Sequence, residues 1–492
     1  MATIIIVAIS CILLVGFSKQ AGEFISHAYD IITNQFGVLY IWYGAGVVIF
    51  LVWLGFSKYG HKRLGEENSA PEFSTFSWMS MLFCAGIGAG LLYWAVIEWG
   101  YYIDSPPYGI KPRSSSAKEW AGSYGLFHWG ISAWAFYCLP TLAIAYPYYV
   151  RKVPYLRLST SVLSYLPNGV NSKRGRFIDF LFMINLIGGT GTSLGLSTPM
   201  ITASMANLFG LDHDFTLEVV VVLLSISIFG TSAFLGLQKG FKKLANINII
   251  IALTLLFFVL AVGPTLFILK MGTNSIGLVL QNFIRMVLWT DPIGNSGFVE
   301  NWTIFYWAWW IAYGPFVGIF VTRISKGRTI KQVILGMLIY GSLGAWIFFI
   351  VFGNYAMNLE LTGMLDITSL MSQGSKSTAS AISQIFLALP FGKIALTAFF
   401  TIAVIFLATT YDSASYALAS VSTKRLEAGE NPSRWNRVFW ALVLGVLPIC
   451  LMFVDGGLKV ILSATIVVSI PLLFVGVVMA MSLMKMLKSD MG

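Results

Sequence analysis

The chain has 492 residues, of which 57% are hydrophobic and 11% charged, against roughly 45–50% apolar and about 25% charged in ordinary soluble domains. These figures exclude a soluble globular enzyme, and they exclude a disordered chain, which is too polar to bury itself. The net charge of +10 would invite a nucleic-acid partner in a soluble protein, but in a membrane protein it reports cytoplasmic loops rich in Lys and Arg.

Apolar stretches of about 20 residues, the length that crosses the hydrocarbon layer, fall near residues 3-18, 37-56, 76-98, 124-149, 177-208, 216-236, 246-269, 302-323, 332-356, 394-420, 437-454 and 458-484. No A-x-A-like cleavage site follows the first, so it is read as a helix and not as a signal peptide. The chain is thus expected to be an all-α integral membrane protein with twelve transmembrane helices. Loops after the even-numbered spans and the C-terminus carry 22 of the 31 basic residues, which predicts a multi-pass protein of the cell inner (plasma) membrane with both termini cytoplasmic. Residues 274-296 and 377-391 mix polar and apolar residues at helical spacing, as helices lying in the interface do. The short tails leave no soluble domain to expect, and the four cysteines, all within apolar segments, read as inert thiols.

Glycine and proline breaks inside a bilayer are tolerated where the freed backbone is buried in protein or lines a cavity. The third span reads Cys84-Ala85-Gly86-Ile87-Gly88-Ala89-Gly90 and the eighth Tyr313-Gly314-Pro315. If spans three to seven and eight to twelve are two five-helix halves, a break falls on the first helix of each, the placement of a transporter site between inverted repeats. The eighth span also carries Trp302, Tyr306, Trp309, Trp310 and Tyr313 within about 100° of one another on a helix, over roughly 16 Å of its length. Trp129, Trp134 and Tyr137 on the fourth span and Tyr101 after the third complete a candidate box of ring faces. A quaternary ammonium has no N–H to donate and is bulky and weakly hydrated, so aromatic faces suit it. Within the spans the acidic residues are Glu98, Asp179 and Asp412, and none lies in the stripe.

At these residues the sequence resembles the betaine–carnitine–choline transporter family: Trp302-Thr303-x-x-Tyr306-Trp307-x-Trp309-Trp310 is similar to the family signature. Pro71-Glu72-Phe73-Ser74, Gly191-Thr192-Ser193-Leu194-Gly195-Leu196, Gly236-Leu237-Gln238-Lys239-Gly240 and Arg323-Ile324-Ser325-Lys326-Gly327-Arg328 join it. The resemblance implies a neurotransmitter:sodium symporter-like fold and a homotrimer in membrane lipid, with no nucleic-acid partner and no cofactor beyond sodium as coupling ion. Its divisions would be residues 1-75 (two N-terminal helices and a cytoplasmic loop), 76-270 (first five-helix repeat), 271-300 (interfacial helix) and 301-492 (second repeat).

Carried over by position, the family's aromatic box corresponds to Trp129, Trp134, Tyr137, Trp309, Trp310 and Tyr313. Tyr101 matches a tyrosine of the carnitine-exchanging branch, and Trp302 an outer tryptophan on the access path. The helix-break backbone is Gly86, Gly88 and Gly90. Sodium would be held by carbonyls of Cys84, Ile87 and Phe406 and hydroxyls of Thr409 and Thr410; a second site would involve Thr190 and Phe316, with Leu186 where the family's other threonine stands. Asn248 occupies the position at which sodium-independent exchangers resemble one another in having arginine. The expected function is secondary-active transport of a trimethylammonium compound of the glycine betaine, carnitine or choline type, by sodium-coupled symport; the alternative is sodium-independent exchange of the carnitine/γ-butyrobetaine kind. The scattered His27, His61, His128 and His213 make no catalytic constellation, so no enzyme is expected.

Overall fold

The computed structural model describes residues 2–86, 88–235, 242–426, 430–451 and 457–491. Among them the chain is helical, with a single isolated β-bridge, Arg63 to Thr329, outside the helices. Helix α1 (Ala2–Gly16) leads into α2 (Ser18–Phe56), followed by α3 (Thr75–Gly86), α4 (Ala89–Asp104), α5 (Ser115–Trp129) and α6 (Ile131–Ala145). Then come α7 (Lys173–Phe209), α8 (Phe215–Leu235), α9 (Lys242–Val262) and α10 (Thr265–Leu288). A π-helical turn, Val299–Ile304, opens α11 (Phe305–Ile324); α12 (Ile330–Leu361), α13 (Ser375–Leu387), α14 (Gly392–Ser422), α15 (Arg434–Leu451) and α16 (Gly457–Met491) complete the order. Hydroxyl caps set several starts: Ser114 Oγ accepts from Ala117 N–H at 3.2 Å, and Thr329 with Gln332 forms a reciprocal capping box on α12.

Eight helices among the described residues are long and apolar enough to cross a membrane. The other four expected spans are the short first helix, the third and fourth, each divided in two, and α15. Two boundaries differ from the sequence reading. Residues 18–36, polar but without proline, extend α2 to 39 residues, and α9 stops at Val262 because Pro264 starts a new helix, α10.

The burial pattern is that of a membrane bundle. Large apolar side chains such as Ile12, Phe24, Trp42, Ile49, Phe257 and Ile284 face outward on α1, α2, α9 and α10, whereas the most apolar window of Val299–Ile324 is wholly buried. α11 is therefore the central helix. It lies close against α6, backbone near backbone with only the Pro140 ring beside them: a Cβ on Gly314 would sit 2.9 Å from the Phe136 carbonyl, and one on Gly318 3.0 Å from Thr141 N. At one end of α11 the loop before α3 clasps the loop after α11. Leu64 N–H donates to Arg328 O (2.8 Å), Ile330 N–H to Lys62 O (2.9 Å), and the Arg328 guanidinium, whose pKa burial lowers, stacks 4.1 Å over Trp78.

The break expected at Tyr313-Gly314-Pro315 is absent: α11 runs unbroken through Pro315. Proline frees one carbonyl, which neighbouring helices can satisfy in a bundle, and Gly314 serves close packing instead. The second real break is at Gly130, between α5 and α6. A Cβ there would collide with the Leu126 carbonyl and the Trp346 indole nitrogen. The carbonyls that the break frees are taken by indoles: Trp346 Nε1 donates to Leu126 O (2.7 Å) and Trp310 Nε1 to His128 O (3.0 Å).

Candidate functional site

The two broken helix pairs and α11 meet at one cavity. Its wall includes Gly88 and Gly90 at the start of α4, Trp129 and Tyr137 on either side of the Gly130 break, and Trp309, Trp310 and Tyr313 of α11. Phe316 and Phe320 of α11, Ser193 of α7, and Thr409, Thr410 and Ser413 of α14 complete it toward the clasped end. Its free interior is about 40 Å³, so the rings close tightly on the space they share.

Five rings shape the narrow part. Trp129 meets Trp310 edge to face at 4.8 Å between centroids and Trp309 at 5.8 Å; Tyr137 meets Trp310 at 5.8 Å, and Tyr313 meets Trp309 at 6.2 Å. Three of the five turn their polar edges into the protein. Trp310 donates to His128 O (3.0 Å), Trp129 Nε1 to Glu98 Oε2 (3.0 Å), and the Tyr313 hydroxyl pairs with Ser193 Oγ (2.7 Å). The Trp309 N–H, buried at the cavity wall, has no partner among the described residues.

Two of the expected box residues, Trp134 and Tyr101, do not line this cavity, and neither does Trp302, expected on the access path. Trp134 turns away from the cavity to fill the notch over Gly341 on α12, its ring edge to face with Tyr137 at 5.7 Å. Tyr101 and Trp302 pack on each other (5.4 Å) and on Trp94 (6.0 and 5.7 Å), at the opposite end of α11 from Phe320. Tyr306 stacks between the two groups, 6.4 Å from Trp302 and 5.5 Å from Trp310. The cavity is thus closed by rings on the Trp302 side and runs along α11 to Phe320, about 16 Å from Trp309 at helical rise.

Of the residues placed at sodium, Thr410 lies across from Gly88, its Oγ1 3.1 Å from where a Cβ would stand. Thr409 Oγ1 donates to Ile405 O (3.0 Å) and Phe406 O (3.1 Å), which leaves the oxygen lone pairs available to a cation. Thr190 Oγ1 is bonded back to Leu186 O (2.8 Å), while Phe316 lines the cavity. Gly86 ends α3; Ile87, like the Gly236-to-Gly240 motif, lies outside the described residues. Asn248 is fully buried, and among the described residues neither its amide oxygen nor its nitrogen has a partner, a rare condition for a buried amide.

Sequence reasoning missed Glu98. Although no acid lies on the aromatic stripe, Glu98 reaches it from α4: its carboxylate accepts from the Tyr306 hydroxyl (2.7 Å), from Trp129 Nε1 and from the Tyr102 hydroxyl. Its position one turn before Tyr102 was a usable signal; the partners on α5 and α11 were not. Ser193 and Gly189, against which Tyr313 packs, were also missed, although the Gly-Thr-Gly-Thr-Ser run containing Ser193 marks a close approach.

Over residues 1–492 the chain matches the family model described as betaine/carnitine/choline family transporter. It is 39% identical over 440 residues to an uncharacterized transporter, YeaV, of Escherichia coli K12, covering 89% of this chain and 91% of that one. It is 37% identical over 446 residues to a carnitine transporter of Acinetobacter baumannii, covering 90% and 80%.

Proposed function

Because the chain belongs to the betaine/carnitine/choline transporter family, a family of transporters and not of enzymes, we propose that it carries a trimethylammonium zwitterion or cation across the membrane by sodium-coupled symport. The observation that carries this reading is the convergence of five ring faces with the Gly86-to-Gly90 break on one cavity. The ammonium sits between Trp129, Tyr137, Trp309, Trp310 and Tyr313, each ring contributing roughly 0.5–2 kcal/mol depending on desolvation. The far end of the substrate meets the free N–H of Trp309 and the backbone N–H groups at the start of α4, where a helix N-terminus favours an anion.

Sodium is a hard cation that takes oxygen ligands. The Phe406 carbonyl, the Thr409 and Thr410 hydroxyls and the carbonyls of Cys84 and Ile87 are its proposed ligands, with Thr190 and Phe316 at a second site. The unpartnered Asn248 amide supports a sodium-dependent reading, since a neutral side chain there leaves the ion's charge unopposed. The architecture proposed is twelve spans in two inverted five-helix repeats, both termini cytoplasmic, assembled as a homotrimer. On that orientation the basic clasped end of α11 is cytoplasmic, so the cavity faces inward and the Trp302–Tyr306–Tyr101 rings form the outer closure.

A second reading, sodium-independent exchange, is favoured by Tyr101 and its flanking sequence. Proteoliposomes separate the two. A symporter accumulates labelled carnitine or glycine betaine from an empty interior on an inward sodium gradient, whereas an exchanger does so only when preloaded with substrate. Asn248→Arg puts a fixed charge at the position where sodium-independent relatives resemble one another in having arginine, and is expected to lower sodium activation at least severalfold; unchanged sodium dependence overturns the ion assignment.

A further inference from the structure

Glu98 is a fully buried acid in the middle of a membrane bundle, and such a group carries function by default. Its surroundings are donors only. The Tyr102 and Tyr306 hydroxyls and the Trp129 indole N–H all point at its oxygens, the environment of an ionised carboxylate, which accepts and never donates. The nearest group able to balance the charge is His128, whose Nδ1 is 3.8 Å away. His128 is engaged elsewhere: the Tyr102 proton goes to Glu98, so the Tyr102 oxygen accepts from His128 Nδ1–H (2.9 Å), and Nε2 lies 3.1 Å from the Thr303 hydroxyl. Its Nδ1 is too far from the carboxylate to hydrogen-bond to it. Among the described residues no lysine or arginine pairs with Glu98. A lone charge in such a place is expensive unless something balances it.

The charge is wired to the box. Trp129 and Tyr306 each donate to Glu98 Oε2 through the polar edge while their rings lie against Trp310, at 4.8 and 5.5 Å. An anion accepting an indole N–H or a phenol O–H pushes electron density into the ring, and a richer ring face holds a cation more strongly. We propose that Glu98 is the counter-charge for the transported cation, acting through Trp129 and Tyr306 without touching it. This rests on the trimethylammonium reading above, and it adds that the protein's preference for a charged head over an uncharged one of the same shape resides in a residue behind the box. Glu98 is a specificity-determining, positioning residue, and the aromatic walls alone supply the shape.

The test compares matched ligands that differ only in N⁺ against C. Choline is paired with 3,3-dimethylbutan-1-ol and γ-butyrobetaine with 5,5-dimethylhexanoate, their binding followed by tryptophan fluorescence and by displacement on the purified full chain. Glu98→Gln is expected to shrink the charged-to-uncharged affinity ratio about tenfold. Glu98→Met is the second neutral variant, in case Gln does not fold, since an apolar replacement relieves a lone buried charge. Tyr306→Phe, which keeps the carboxylate and removes one hydrogen bond, is expected to hold most of the ratio. Neutral variants that weaken both members of a pair equally reduce Glu98 to a structural prop and overturn the inference alone. Wild-type protein that binds neither charged probe overturns the functional reading as well.

Discussion

The third and eighth spans carry the same sequence signal for a break and behave in opposite ways. In the third, glycines at 86, 88 and 90 bring no side chains to cover the backbone, and the helix stops at Gly86 and restarts at Ala89. In the eighth, Pro315 follows a glycine within a run of tryptophans and tyrosines, and the helix continues. The difference is in the neighbours. Both helices line the cavity, but Gly314 and Gly318 press α11 onto α6 on its other side. A proline removes one hydrogen bond from a helix that its neighbour still holds; three glycines in five residues remove the side chains that would hold it.

This contrast can be attacked at several points. The largest effect is expected from Trp310→Leu, which deletes a ring face and the N–H that holds the His128 carbonyl at the Gly130 break. Uptake of a trimethylammonium substrate should fall to background in proteoliposomes, and intact uptake would remove the box assignment. Gly314→Val forces a side chain into the α6 contact and is expected to cost about 1–3 kcal/mol, seen as a lowered thermal midpoint in detergent; an unchanged midpoint would mean that the two helices are not in close contact. The smallest effect belongs to Pro315→Ala. If α11 is already continuous, restoring the missing N–H leaves uptake within about twofold and the midpoint equal or slightly higher. A large loss of transport would restore the break to the eighth span.

Much of the all-helical, multi-pass plan was legible because apolar length is written locally. So were five of the rings, since Trp309, Trp310 and Tyr313 share a helical face and Trp129 and Tyr137 sit at a second helix that reads as aromatic. What escaped depended on contacts between distant segments. Gly130 breaks its helix because Trp346 and Trp310, about 200 residues away, supply donors to the freed carbonyls. Trp134 leaves the box because Gly341 makes a notch for it. Glu98 looked remote from the stripe because angle on one helix says nothing about which acid a neighbouring helix brings to its back.

The close seam between α6 and α11 has a mechanical meaning. Tyr137 stands on α6 on one side of it and Trp309, Trp310 and Tyr313 on α11 on the other, while Trp129 ends α5 just across the Gly130 break. Thr322 Oγ1 further pins α11 to the Thr141 carbonyl at 3.1 Å. Backbones in such contact have little slack in which to slide, so Tyr137 and the α11 rings are expected to move as one body. On the proposed transport cycle, the change of open side would then come from the opposite wall, the glycine joint of α3 and α4 and the hydroxyl face of α14.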